Sequence, residues 1–323
     1  MGFKRLADLN MRTVLLCPGQ GAQAVGMAKA WCELHPAARE TFDIADRIFA
    51  NGPDGKTLSD IAFNGPAELL SRTDVGQPAL FTAGVACSRA MGSAAFGEIV
   101  ATAGLSLGEY TALHLAGAFS FEDGLRLVIE RGRLMQLAAE QSKGGMVALI
   151  GADDASAQAV CDEASQGEVL VPANYNAPGQ IVLSGHATAC ARAVAVASEK
   201  GLRAAVLSVA GAFHSSLMQP AAEGMERVLA QTQFSPLKIE VWSNVSAQPH
   251  NSADLGLIRK SLVEQLVSPV RWSQSCANML ASLASRQLRE GTAFHELAPG
   301  TVLRGLMKRI DRATEVTSHD QPA

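Results

Sequence analysis

Gly104-Leu105-Ser106-Leu107-Gly108 follows a short apolar run, Glu98–Ala103, and opens a helical pattern that reaches about Ala116. The five residues spell G-x-S-x-G at a predicted strand-to-helix junction, the setting of a nucleophile elbow. A sharp turn strains the serine backbone, and only small residues on either side permit the close approach. The hydroxyl then projects at a helix N-terminus, where partial positive charge favours a developing anion. The Leu107 amide becomes a natural oxyanion donor. The plainer reading is a Gly-rich turn with an incidental serine. The strand before it and the helix after it favour the elbow.

Strands and helices alternate outward from this point. Thr13–Cys17 reads as a buried strand entering the turn Pro18-Gly19-Gln20-Gly21-Ala22-Gln23. Helical patterns cover about Ala28–Ala50 and Pro78–Gly92. Ser120 reads as an N-cap, with Glu122 and Asp123 in the first turn of a helix reaching about Glu140. The middle section runs Met146–Gly151 strand, Asp153–Ser165 helix, Val169–Ala173 and Gln180–Ser184 strands, Thr188–Lys200 helix and Arg203–Val209 strand. The residues NYNAPG read as the turn between the middle two strands. This βαββαβ order is the ferredoxin-like pattern. Lys143-Gly144-Gly145 and Ala210-Gly211 are candidate hinges on its two sides. After it come a helix beyond Ser215, a strand at Ile239–Ser243, a helix at about Asp254–Leu266, a strand at Ala293–Leu297 and a helix ending near Ile310. The expected fold is therefore α/β: a large α/β-hydrolase-like domain with a parallel sheet over 11–142 and 209–312. A small ferredoxin-like domain is inserted over 143–208. Residues 313–323 lack apolar periodicity and are expected to be a flexible tail.

Composition narrows the function classes. The 323 residues are 48% hydrophobic and 18% charged, with a formal net charge of −4. That excludes intrinsic disorder and argues against a dedicated nucleic-acid binder. No apolar run is long enough for a transmembrane helix. The N-terminus, MGFKRLADLNMRTVLLCPG, has too short an apolar stretch for a signal peptide and reads as a short lead-in to the first strand, with Met11 a candidate start of the folded domain. The six cysteines are scattered without metal-site spacing, as for free buried thiols in a reducing cytosol.

A serine at neutral pH needs a base. His35, His250 and His319 sit in polar contexts and read as solvated. His114 lies further along the helix of Ser106 and points away from the elbow's mouth. His186 belongs to the small domain, and His295 falls in a predicted strand as a core histidine. His214 follows a domain boundary and a Gly-Ala-Phe turn, where a loop can face a cleft, so position favours it. No pattern singles out the group that orients it. The turn around Gln20 leaves a backbone amide accessible, as a second oxyanion donor requires. It matches neither a P-loop nor G-x-G-x-x-G. Arg126, Arg131 and Arg133 share one helix, and most such arginines are solvated. Arg131 adjoins Gly132, and a helix-interior glycine costs roughly 1 kcal/mol and usually has a packing reason. A buried arginine facing the serine would select a substrate with a free carboxylate.

Taken together, the chain resembles the malonyl-CoA:acyl carrier protein transacylase family from about Val14 to Ile310. The stretches that carry the likeness are PGQGAQ (18–23), GLSLGEYTAL (104–113), Arg131-Gly132, NYNAPGQIVLSG (174–185), GAFHSSLMQPA (211–221), EQLVSPVRW (264–272) and ELAPGTVLRGLMKRI (296–310). The resemblance implies that Ser106 is the acylated nucleophile and His214 its base. Gln265 would orient His214 through its main-chain carbonyl. The amides of Gln20 and Leu107 would form the oxyanion hole, and Arg131 would hold the malonyl carboxylate. Phe213 would line the acyl pocket, and Asn174 and Asn176 would lie beside the cleft as substrate contacts. Many family members carry histidine where this chain has Leu105, which removes a polar side chain beside the oxyanion hole.

The implied reaction is ping-pong transfer of malonyl from malonyl-CoA to the phosphopantetheine thiol of a holo-acyl carrier protein, with no metal and no other cofactor. The implied setting is a cytoplasmic monomer that binds neither nucleic acid nor membrane. Three alternatives stay open: a proofreading thioesterase using the same dyad, an acyltransferase serving a polyketide synthase, and a non-enzymatic carrier-protein binder.

Overall fold

The computed structural model describes residues 11–50 and 52–322; the lead-in expected before Met11 lies outside them. The unbroken apolar run Val14-Leu15-Leu16-Cys17 suits a strand covered on both faces. It forms most of β1 (Arg12–Cys17), the middle strand of a five-stranded sheet. Alternation along the strand sends Leu15 and Cys17 into one core and Val14 and Leu16 into a second.

Five helices follow: α1 (Lys29–Leu34), α2 (Pro36–Ile48), α3 (Leu58–Asn64), α4 (Ala67–Ser71) and α5 (Thr73–Met91). The single helix expected over Ala28–Ala50 is broken at His35, whose φ −127° and ψ 113° are the extended values that a following proline imposes. Pro78 lies inside α5, so that helix starts ahead of the expected boundary. Next come β2 (Glu98–Gly104), α6 (Gly108–Leu115) and α7 (Phe121–Ser142). The Ser120 side chain caps α7 by accepting from the Asp123 amide.

The middle of the chain builds a separate sheet from β3 (Gly144–Ile150), α8 (Asp154–Ser165), β4 (Leu170–Ala177), β5 (Gln180–His186), α9 (Ala187–Glu199) and β6 (Arg203–Val206). Its strands run antiparallel in the order β4-β5-β3-β6. Val147, Leu149 and Leu183 pack against small residues of α8 and α9. Met146, Ala173 and Val182 join the main core from the other face. The rest of the chain supplies α10 (Gln219–Gln231), β7 (Glu240–Trp242), α11 (Leu255–Glu264), α12 (Trp272–Ser285), β8 (Thr292–Glu296), α13 (Val302–Ile310) and β9 (Val316–Ser318). The first sheet is parallel throughout, in the order β7-β2-β1-β8-β9. The molecule is thus a mixed α/β fold with one parallel and one antiparallel sheet.

Two expectations need correction. Residues 174–177 are not part of a turn but continue β4, because they pair with β5 as far as Ala177 and because Tyr175 N donates to Val270 O at 2.9 Å and Val270 N to Ala173 O at 2.8 Å. Only Pro178-Gly179 is left to turn the chain. The tail expected over 313–323 is also structured within the described residues. Val316–Ser318 extends the parallel sheet beside β8, and the Trp31 indole donates to His319 O at 3.1 Å.

Candidate active site

Ser106 stands where β2 ends, with φ +53° in the left-handed region. The flanking glycines make this turn possible. A Cβ on Gly104 would lie 1.9 Å from the Gly108 carbonyl carbon, and one on Gly108 would lie 2.0 Å from Cys17 O. Cys17 belongs to the central strand, which cannot yield without disturbing both neighbours. Gly108→Ala is therefore expected to destabilise the fold by about 3 kcal/mol. An unchanged urea midpoint would show that the turn has slack that the contact distances deny. Asn244, just past β7, holds the turn from behind. Its Oδ1 accepts from Ser106 N at 2.6 Å and its Nδ2 donates to Gly104 O at 2.7 Å.

His214 lies 2.9 Å from Ser106 Oγ through Nε2, and its Nδ1 is 2.8 Å from the main-chain oxygen of Gln265. A carbonyl can only accept, so Nδ1 carries the proton and Nε2 is free to receive one from the serine. Burial, and then the charge of Arg131, push the imidazole pKa down to about 4. The histidine is therefore neutral at pH 7.

Arg131 is no solvated helix residue; it is 1% exposed. Its Nη1 donates to Gln77 Oε1 at 2.6 Å, and its Nη2 donates to Gln265 Oε1 at 2.9 Å and to Ser106 Oγ at 3.1 Å. Its guanidinium carbon lies 5.3 Å from the centre of the Tyr110 ring. Burial holds its pKa below the ordinary arginine value. Its helix neighbours stay at the surface, Arg126 with Asp123 and Arg133 with Glu130.

A cleft of about 180 Å³ opens over Ser106 and His214. Gln20, Phe213, Asn174 and Asn176 line it, and the buried Oδ1 of Asn176 has no partner among the described residues. Leu105 also faces the cleft. Leu107 is buried directly after the serine. Neither its main-chain N–H nor that of Gln20 finds a protein acceptor among the described residues.

Sequence reasoning missed four groups around this centre: Gln77, Glu109, Asn244 and His250. His250, expected to be solvated, is buried with Nε2 2.6 Å from Glu109 Oε1. His319, also expected to be solvated, stacks on His295, the two rings meeting through Nε2 and Nδ1 at 2.8 Å. His114 turns its Nδ1 to Phe119 O at 3.0 Å, away from the serine. The one local sign of the buried network was an acid, Glu109, inside an otherwise apolar helix face.

The acyl transferase domain family matches residues 14–315. Over 307 residues, 95% of each chain, the sequence is 40% identical to the malonyl CoA-acyl carrier protein transacylase of Salmonella typhimurium. The chain belongs to the malonyl-CoA:acyl carrier protein transacylase family. A crystal structure of the transacylase from Xanthomonas oryzae pv. oryzae is similar to it with a TM-score of 0.88 and 41% identity, covering 97% of this chain and 96% of that one. A malonyl-transacylase solved in complex with its type II polyketide synthase acyl-carrier protein is similar with a TM-score of 0.87 and 34% identity, covering 97% of each chain. In this chain the Ser106 hydroxyl touches both the His214 imidazole and the buried guanidinium of Arg131. No helix among its described residues is long and apolar enough to cross a membrane.

Proposed function

We propose that the chain transfers malonyl from coenzyme A to the phosphopantetheine thiol of an acyl carrier protein, by a ping-pong reaction through malonyl-Ser106. One observation carries this reading: Ser106 Oγ lies 2.9 Å from His214 Nε2 and 3.1 Å from the buried guanidinium of Arg131. A nucleophile and base suffice for any acyl transfer. A cation without solvent at the nucleophile suits an acyl group that brings its own carboxylate.

In the first half-reaction His214 Nε2 takes the Ser106 proton as Oγ attacks the thioester carbonyl carbon. The Gln20 and Leu107 amides receive the oxyanion, and one such donor is typically worth about 3 kcal/mol. The carbon–sulfur bond then breaks, the coenzyme A sulfur takes the proton from His214, and malonyl remains as the serine ester. The carrier-protein thiol reverses these steps: it gives its proton to His214, attacks the ester, and Ser106 recovers the proton. Arg131 holds the malonyl carboxylate throughout. Phe213, Asn174 and Asn176 shape the cleft around the acyl group and pantetheine arm. None of these steps calls on a metal or redox cofactor.

The fold reading that goes with this function has a hydrolase-like catalytic unit over 11–142 and 209–312 and a ferredoxin-like insertion over 143–208. The antiparallel order β4-β5-β3-β6 supports the second description. The proposed setting is a cytoplasmic monomer acting on malonyl-CoA and a holo-carrier protein, without nucleic acid or membrane. A thioesterase would use the same dyad but has no need of Arg131. Intact-mass measurement after malonyl-CoA, and again after holo-carrier protein, tests the choice. A malonyl adduct that moves to the carrier protein is expected; its release as free malonate instead would overturn transfer.

The pH dependence carries a sign. The base works when neutral, so activity persists above its pKa and falls as pH drops through it. For the free protein that point is about 4, held there partly by Arg131. A bound malonyl carboxylate pairs with Arg131 and removes that part of the depression. The acid limb of kcat/KM, which reports free protein, is thus expected near pH 4 and that of kcat at higher pH. Both limbs together at 6.5, the ordinary histidine value, would show that neither burial nor Arg131 depresses the titrating base.

A further inference from the structure

We infer that Glu109 is a positioning residue that fixes the orientation of the Gln265 amide and, through it, the place of Arg131. Glu109 sits in the first turn of α6 and is 1% exposed. Its carboxylate accepts from three sides: His250 Nε2 at 2.6 Å on Oε1, and Gln265 Nε2 at 2.7 Å and Asn244 N at 3.1 Å on Oε2. An ionised carboxylate only accepts, so Gln265 must turn its NH2 toward it. The planar amide then presents Oε1 on the opposite side, where Arg131 Nη2 donates at 2.9 Å. The flipped amide would set oxygen against carboxylate and NH2 against guanidinium. The same carboxylate holds the backbone of Asn244, whose Oδ1 receives Ser106 N. His250 keeps the carboxylate from swinging away. Glu109 touches neither the cleft nor the serine hydroxyl, yet it supplies the shortest bond that orients the Gln265 amide toward Arg131, with Ser106 O accepting from the same Nε2 at 3.1 Å.

This inference rests on Arg131 facing the malonyl carboxylate, so its signature is selectivity. Activity is compared for malonyl-CoA and acetyl-CoA after normalising to the fraction of Ser106 labelled by a fluorophosphonate. Glu109→Ala leaves Gln265 Nε2 with only its longer bonds, to Ser106 O at 3.1 Å and Asn244 Oδ1 at 3.5 Å, and malonyl kcat/KM is expected to fall about 30-fold, roughly tenfold more than the acetyl value, which falls only through the loosened Asn244 contact. Glu109→Gln offers a carbonyl to Gln265 and Asn244 and an NH2 to His250 in its other tautomer, so it is expected to restore most malonyl selectivity. If Glu109→Ala does not fold, Glu109→Asp keeps the charge but draws the carboxylate back from Gln265, and the same selective loss is expected. Equal losses for both acyl groups, or Glu109→Gln as poor as the variant that lacks the contact, overturn the inference. Wild-type protein without a malonyl adduct would overturn the transfer reading itself, and this inference with it.

Discussion

Ser106→Ala is expected to give no malonyl adduct by intact mass and to transfer malonyl about 10^5-fold more slowly than the wild type. The substitution removes Oγ, the atom proposed to become the ester oxygen. It leaves His214 Nε2 and Arg131 Nη2 facing a methyl group where each now meets Oγ, at 2.9 and 3.1 Å. Alanine is no more strained than serine at φ +53°, and the backbone ties of the turn to Asn244 do not involve the lost oxygen. The fold should therefore survive, and thermal unfolding should match the wild type. Residual turnover would come from the oxyanion amides and from binding alone. A covalent malonyl adduct persisting in this variant would remove Ser106 from its role.

The second large effect is one of selectivity. Arg131→Ala is expected to lower malonyl kcat/KM about 10^3-fold, roughly 4 kcal/mol, while acetyl transfer is kept or gained. The guanidinium makes three donor contacts, to Gln77, Gln265 and Ser106, and is itself 1% exposed. A carboxylate can repay the cost of that buried cation; a methyl group cannot. Truncation also strips donors from two glutamine oxygens, so some stability is lost, about 1–3 kcal/mol for each orphaned group. Comparing the two acyl groups on one preparation cancels that loss. An unchanged malonyl preference would place the selecting group elsewhere.

The elbow was legible because the residues that shape its turn are neighbours in the chain. The elbow is written in two glycines whose missing Cβ atoms are sterically demanded. Ser120 announced its helix by a bond to an amide three residues on. Most strands were marked along the chain by apolar runs that needed no tertiary knowledge. The groups that were missed depend on partners far away in sequence. Glu109 and His250 are polar residues that look solvated until the fold brings 109 and 250 together. The NYNAPG run has strong local turn chemistry, but pairing with Val270 at Asn174 and with β5 as far as Ala177 overrides it. Similarly, β9 has three residues and only Val316 buried, too little pattern to read without the neighbouring strand that receives it. The break at His35 was written in Pro36, and helical periodicity on both sides concealed it.

The pairing of β4 with Val270 constrains how the protein can breathe. Asn174 on the cleft wall, bridged to Val270, is tied to the same short segment whose carbonyl, at Gln265, steadies His214. Swinging the antiparallel layer outward to admit a bulkier acyl chain would pull on that segment and unseat the imidazole. Widening the mouth and keeping the proton relay in register are thus mechanically opposed, and tolerance for larger substrates has to come from rotamer changes of lining side chains such as Met135 and Met146.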